Sequence, residues 1–157
     1  MTLTQKERSF LKDLQNEEKI CTEKYHKAAE AACDTKLKQI FSKIEKAEQN
    51  HYDTVTQMLG GTLPPQQSPA QSKAKVPAQK QQEQELKSKV SRADKKSDAY
   101  LLADLLATEK YVSAVYNTAV FEFGDAKARQ ALAEIQRQEQ QHGKELSDYM
   151  TANNIYC

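Results

Sequence analysis

The sequence has few residues that interrupt helices and no long apolar run. Its 157 residues include 4 glycines, 4 prolines and no tryptophan, and 29% of them are charged. This composition, rich in alanine, glutamine, lysine and glutamate, favours long amphipathic helices. No apolar run approaches the roughly 20 residues that cross a bilayer, and the first residues lack the apolar segment of a secretory signal. We therefore expect an intracellular protein with no membrane partner.

Two further absences exclude other classes of protein. The net charge of +1 gives no broad basic surface, so we expect no nucleic-acid partner. Three cysteines, Cys21, Cys33 and Cys157, are an odd number without metal-type spacing and indicate free thiols rather than a disulfide framework. The sequence also contains no Ser–His–Asp, Cys–His or glycine-rich phosphate pattern, which leaves hydrolase and nucleotide-binding functions without support.

The chain contains two copies of one unit. Residues 11–59 align with residues 102–150 without a gap, and 14 of the 49 positions are identical. An offset of 91 residues relates the copies, so that Glu48-x-x-His51 recurs as Glu139-x-x-His142 and Glu18 recurs as Glu109. A register kept over this length indicates an internal duplication.

Apolar residues recur every three or four positions in four segments, which predicts four amphipathic helices packed along inward-facing seams. Thr4 and Glu7 form a capping-box signature before the first helix, and Asp34 is a suitable N-cap for the second. The inward positions are Leu11, Leu14, Glu18, Cys21, Tyr25, Ala28 and Ala32; Leu37, Phe41, Ile44, Glu48, His51, Val55 and Met58; Leu102, Leu105, Glu109, Val112, Tyr116, Ala119 and Phe123; and Ala128, Leu132, Ile135, Glu139, His142, Leu146 and Tyr149.

These patterns predict a single all-α domain over residues 1–157, an antiparallel four-helix bundle made of two duplicated helical hairpins. The hairpins are expected over residues 4–60 and 93–150, followed by a C-terminal tail over 151–157. Residues 61–92 are rich in proline, glutamine and lysine and are predicted to form a flexible crossover, with disorder over 66–79. Some helical bundles need such a crossover to return the chain along the bundle.

Six ionisable residues interrupt the apolar seams. Glu18 lies 16 residues before the turn at Asp34, and Glu48 and His51 lie 14 and 17 residues after it. Helices of a hairpin run side by side, so these three side chains are expected at one height, and the 91-residue offset repeats the arrangement. A twofold-like pairing of the hairpins would bring together all six: Glu18, Glu48, His51, Glu109, Glu139 and His142.

Four carboxylates cannot all stay charged in an apolar core, because desolvation and mutual repulsion oppose it. Two divalent cations would offset the charge, and oxygen with imidazole nitrogen suits iron or manganese. The pattern is that of di-iron and di-manganese carboxylate bundles. We predict two iron or manganese ions, with Glu18, Glu109, His51 and His142 as terminal ligands and Glu48 and Glu139 as bridging ligands. The alternative is a metal-free polar layer, or the remnant of a lost site.

The second repeat resembles a known family. Residues 102–111 (LADLLATEKY), Tyr116-Asn-Thr-Ala119, Tyr149-Met150 and Tyr156 are similar to the coat F (CotF-like) family of spore coat proteins. The first repeat is similar to the N-terminal half of that family through Leu14, Glu17-Glu18-Lys19 and Cys21. The resemblance covers roughly residues 4–59 and 95–157. It implies a ferritin-like fold, an endospore-forming Firmicute, location in the spore coat or forespore, and other coat proteins or a second copy as partners.

The six-ligand pattern is separately similar to rubrerythrin-type and manganese-catalase-type ferritin-like proteins. No rubredoxin-like cysteine pairs accompany it in this sequence. Three hypotheses therefore stand: a coat protein with a di-metal site, a metal-free structural coat protein, and a di-metal oxidoreductase acting on peroxide, oxygen or ferrous iron. Tyr25 and Tyr116 are interpreted as core residues with a polar end, with a redox or supporting role as the alternative. Whether the protein is an enzyme stays open at this point.

Overall fold

The structure is a computed structural model that describes residues 1–65 and 84–155, and four long helices make up most of these ranges. They are α1 (Gln5–Ala31), α2 (Thr35–Leu59), α3 (Arg92–Glu122) and α4 (Ala126–Ala152). No strand occurs in the described ranges, so the prediction of an all-α chain is confirmed. The disorder predicted over residues 66–79 lies outside the described residues.

Local side-chain caps fix where the helices begin. Thr4 Oγ1 accepts a hydrogen bond from the Glu7 N–H at 3.2 Å, while the Glu7 carboxylate accepts one from the Thr4 N–H at 2.8 Å. This is the predicted capping box. Asp34 caps α2, and Asp125 occupies the same position before α4. Ser91 caps α3 by accepting from the Asp94 N–H.

The predicted C-terminal boundary needs a correction. The sequence predicted that the second hairpin ends at residue 150, but α4 continues to Ala152. Asn153 follows it as a buried cap, and its Nδ2 donates to the carbonyls of Tyr149 and Leu86, both at 2.9 Å. These bonds tie the helix end to the chain that precedes α3, which the apolar periodicity could not indicate.

The helices form two hairpins that pack on each other. α1 contacts α2 and α3 contacts α4 along their lengths, while α1 also packs against α3 and α2 against α4. The end of α2 lies beside the start of α1, where Arg8 donates to the Leu59 carbonyl at 3.2 Å. The start of α3 lies instead at the turn between α1 and α2. The chain between α2 and α3 therefore connects opposite ends of the hairpins, a distance of about 38 Å for a helix of this length.

The helical periodicity placed the core correctly. Every inward position predicted from the sequence is buried, with at most 6% of its surface exposed. The apolar members form two separate clusters: one around Leu11, Val55, Val112 and Leu132, and one around Phe41, Ile44, Leu102 and Leu146. The polar members of the seams lie between these clusters. The core is thus apolar at both ends and polar at mid-height.

Two buried acids join the hairpins at their turns. Asp98 is 1% exposed and accepts hydrogen bonds from the Cys33 N–H at 2.7 Å and the Asp34 N–H at 3.0 Å. Glu7, which the 91-residue offset pairs with Asp98, accepts from the Gly124 N–H at 3.0 Å in the other turn. That bond, with those from Thr4, lowers the pKa of Glu7. Each hairpin thus supplies the acid that satisfies the turn of the other.

We expect Asp98→Ala to lower the free energy of unfolding by about 2–4 kcal/mol, because a buried N–H (Asp34) and a partly buried N–H (Cys33) lose a charged acceptor. Chemical denaturation followed by circular dichroism measures this difference. Asp13→Ala is the matched control, since Asp13 is exposed on α1. Equal stability of the Asp98 and Asp13 variants would show that the turn contact does not hold the hairpins together.

Candidate metal centre

The six ionisable residues predicted from the sequence meet in one buried layer between the two apolar clusters. Each helix contributes from its middle, so the heights counted from the two turns match in space. The layer is nearly closed to solvent. The exposed fractions are 0% for Glu18, 0% for Glu48, 2% for His51, 4% for Glu109, 1% for Glu139 and 6% for His142.

The donor atoms of the layer form two overlapping groups. One consists of Glu18, Glu48, His51 and Glu139, the other of Glu48, Glu109, Glu139 and His142. Within each group the donor atoms lie within 4.8 Å of one another. Glu48 and Glu139 belong to both groups, whereas each remaining residue belongs to one. The arrangement can therefore place two cations side by side with two carboxylates between them.

Each imidazole turns its Nδ1 towards carboxylates from both hairpins. His51 Nδ1 lies 3.0 Å from Glu139 Oε1, and His142 Nδ1 lies 2.8 Å from Glu48 Oε1. Their other carboxylate neighbours lie 3.5–3.7 Å away: Glu18 and Glu48 around His51, and Glu109 and Glu139 around His142. The two rings stack with their centroids 5.6 Å apart. Both imidazoles thus sit at the contact between the hairpins.

Burial and neighbouring charges separate the carboxyl groups into two kinds. Burial raises the pKa of Glu18 to about 8 and that of Glu109 to about 9. Burial acts on Glu48 and Glu139 as well, but the adjacent imidazoles outweigh it. They lower the pKa of Glu48 and lower the pKa of Glu139 to about 2. The two shared carboxyls are therefore the ones most strongly held as anions.

The same contacts that lower the pKa of Glu48 and Glu139 raise the pKa of both imidazoles. Burial disfavours the imidazolium form, but the surrounding carboxylates raise the pKa of His142 to about 11 and raise that of His51 well above its ordinary value. At neutral pH two imidazolium cations would balance two carboxylates, while Glu18 and Glu109 keep their protons. Cations that bind here compete with these protons, because metal ligands must be deprotonated.

Several donor atoms of the layer lie close to charged neighbours without making a hydrogen bond. Among the described residues, seven buried side-chain atoms in this layer make no hydrogen bond: Glu18 Oε2, both Glu48 oxygens, His51 Nδ1, Glu109 Oε2, Glu139 Oε1 and His142 Nδ1. Unsatisfied polar atoms in a core cost free energy. Five carboxylate oxygens and two imidazole nitrogens that converge on one space are a donor set suited to iron or manganese.

Two buried tyrosines hold the outer carboxylates. The Tyr25 hydroxyl donates to Glu109 Oε1, and the Tyr116 hydroxyl donates to Glu18 Oε1. Each bond crosses from one hairpin to the other and leaves Oε2 of the carboxylate facing the layer. The sequence placed both tyrosines in the core, and the structure adds that each one supports a carboxylate of the opposite repeat.

Gln138 is a supporting residue that the sequence analysis missed. Its Oε1 lies 2.8 Å from His51 Nε2, and its Nε2 donates to Glu134 Oε1 at 2.9 Å. The outer nitrogen of the His51 ring is thus paired while Nδ1 faces the carboxylates. The repeat gave no signal for this role, because the residue 91 positions earlier is Ala47.

We expect Tyr25→Phe to destabilise the protein by about 1–3 kcal/mol, because it leaves a buried oxygen of Glu109 without its donor. Tyr116→Phe should have a similar effect through Glu18. Tyr111→Phe is the control, since Tyr111 is 58% exposed. Thermal unfolding in the presence of chelator measures the three variants, and equal midpoints would contradict a supporting role for the buried hydroxyls.

Fold and site together define an all-α protein whose paired hairpins bury a carboxylate–histidine layer. Residues 97–156, which include most of α3 and all of α4, match the family model of the Coat F domain. This part of the chain is similar to the coat F family, which confirms the resemblance predicted for the second repeat. The match does not include residues 4–59, for which the resemblance stays a prediction. No curated protein and no solved structure matches the chain significantly.

None of the helices in residues 1–65 and 84–155 is both long and apolar enough to cross a bilayer.

Proposed function

We propose that this coat F-family protein is a ferritin-like four-helix bundle that binds two iron or manganese ions in its polar layer, within the spore coat or forespore. The observation that carries the proposal is the overlap of the two donor groups at Glu48 and Glu139. In this proposal those two carboxylates bridge the ions. Glu18 with His51, and Glu109 with His142, are the terminal ligands.

Charge balance supports this assignment. Two divalent cations offset four carboxylates and leave both imidazoles neutral, which removes the need to bury protonated histidines. The tyrosine hydroxyls orient the outer carboxylates, and Gln138 orients His51. Such supporting partners typically change metal affinity by about 10–100-fold. When bound, iron or manganese would supply redox chemistry that no side chain of the layer provides.

A metal-free structural role is the second candidate, and one observation favours it. The raised pKa of His142 and of His51 lets two protonated imidazoles balance two carboxylates without any metal. The polar layer would then fix how the hairpins pair. A third possibility, an oxidoreductase acting on peroxide, oxygen or ferrous iron, would use the same layer and requires the metal ions.

Metal content tests the proposal directly. After loading with iron or manganese, the wild-type protein should hold about two ions per chain by elemental analysis, as expected for two adjacent carboxylate–histidine sites. Glu48→Ala should abolish loading because it removes a ligand of both ions, whereas Glu18→Ala should leave about one. Circular dichroism should show that both variants stay helical.

Glu30→Ala is the control for the loading experiment, because Glu30 is an exposed residue of α1. A wild-type content well below one ion per chain, not restored by either metal, would reject the site and leave the structural role. A loaded protein that is inert towards both peroxide and ferrous iron would exclude the oxidoreductase while keeping metal binding.

Metal binding should also stabilise the fold. A ligand at about 100 times its Kd adds about 2.7 kcal/mol to the free energy of unfolding. For a chain of this size that corresponds to a rise in Tm of about 5–10 °C. Differential scanning calorimetry with and without chelator measures the shift. Glu48→Ala should show none, and a wild-type protein whose Tm is indifferent to both metals would favour the metal-free role.

A further inference from the structure

The polar layer has two halves, one with Glu18 and His51 and one with Glu109 and His142. The halves contain the same residue types, but the residues that cover them differ. The 91-residue offset pairs Gln138 with Ala47. Gln138 fills the space beside His51 and reaches its Nε2 at 2.8 Å. Beside His142 the equivalent residue is Ala47, whose methyl group offers neither the length nor a polar atom to cover the ring. The outer edge of His142 is therefore less protected than that of His51.

A second position also differs in side-chain size between the two repeats. The offset pairs Tyr52 with Gly143. A Cβ placed on Gly143 would lie 3.7 Å from Leu106 Cδ1 and 3.9 Å from Glu109 Cβ. Gly143 thus packs against α3 beside Glu109, where an added Cβ would make ordinary van der Waals contact. Where the first repeat has an aromatic residue, the second has no side chain.

A groove opens beside His142, in the half that contains Glu109 and His142. It lies between α2 and α4, has a volume of about 210 Å³, and is lined by Lys43, Ala47, Gln138, Gln141, His142 and Glu145, among others. Since liquid water occupies about 30 Å³ per molecule, the groove has room for molecules of a few heavy atoms. Lys43 Nζ and Glu145 Oε1 form an ion pair at 2.7 Å between the two helices that border it.

The burial of the ligands follows the same asymmetry. His142 is 6% exposed and Glu109 is 4% exposed, whereas their counterparts His51 and Glu18 are 2% and 0% exposed. These differences are small, but each of them places the opening on the same side. Ala47, the groove and the residual exposure all coincide at the Glu109–His142 half.

We propose that the two halves of the centre have different roles. The Glu109–His142 half is the face that small polar molecules reach from solvent, through the groove at Ala47. The Glu18–His51 half is closed by Gln138 and serves to hold the layer together. The ligands expected at the open face are oxygen or nitrogen donors of two or three heavy atoms, the size class of hydrogen peroxide and azide. Binding of such a ligand to an ion rests on the proposed function, whereas the difference in access does not.

The difference in access is testable without metal. Deuterium incorporation at the imidazole C2 position, followed by mass spectrometry in the presence of chelator, should be several-fold faster for His142 than for His51. Ala47→Gln, which introduces the residue found at the closed half, should slow exchange at His142. Gln138→Ala should accelerate exchange at His51. For each histidine, the exchange rate is compared between the wild type and the variants over a range of pH. This comparison separates a change in solvent access from a change in the pKa of the imidazole.

The ligand class is tested on the iron-loaded, oxidised protein with azide as the probe. Spectroscopic titration should show saturable azide binding that Ala47→Gln weakens at least tenfold, with the iron content unchanged. Glu30→Ala, at an exposed position of α1, is the control that should not weaken it. Ala47→Met serves as a second groove-filling variant without a polar group, so that the result does not depend on one substitution being tolerated.

The outcomes separate the two proposals. A protein that takes up no iron rejects the proposed metal site, while the exchange rates still decide the difference in access. A protein that holds two irons, but whose azide affinity is the same in both Ala47 variants, overturns the open face and leaves metal binding standing. The open face is also overturned if His51 and His142 exchange at C2 equally fast. It is overturned likewise if neither Ala47→Gln nor Ala47→Met slows exchange at His142.

Discussion

The structure depends on balancing the charge of four carboxyl groups buried at the middle of its core. The balance is made across the two hairpins, because each imidazole lies closest to a carboxylate of the other hairpin. The closest contacts, His51 to Glu139 and His142 to Glu48, both cross between hairpins. An unpaired buried charge costs several kcal/mol, so removing one partner of either contact should destabilise the paired hairpins. Protons or metal cations can complete the balance, and this choice links the fold to its proposed function.

Polar contacts between the repeats fix the register of the hairpins. At the two ends, Asp98 and Glu7 each accept hydrogen bonds from the turn of the opposite hairpin. At mid-height, Tyr25 and Tyr116 donate to the carboxylates of the opposite repeat. Apolar packing alone tolerates sliding or rotation of one hairpin on another. A shift by one helical turn would break all of these bonds at once, because each pairs groups at a defined height.

The sequence predicted the features that arise from periodicity and from the duplication. The seams, the capping box at Thr4 and the six residues of the polar layer follow from spacing along one chain. The contacts made by Asp98, Gln138 and Tyr25 depend on how two hairpins rotate and slide against each other, which no spacing within one repeat encodes. Asp98 had a partial signal, because the offset pairs it with the chemically similar Glu7. Gln138 had none, since its counterpart is alanine.

Duplication within one chain permits an asymmetry that a symmetric pair of identical chains forbids. The six ionisable residues are the same in both repeats because losing one would leave uncompensated charge in the core. The residues that cover them carry no such constraint, and here the two repeats differ, with Gln138 opposite Ala47 and Tyr52 opposite Gly143. The proposed open half beside a closed one would let the site be reached from solvent while its other ligands stay covered.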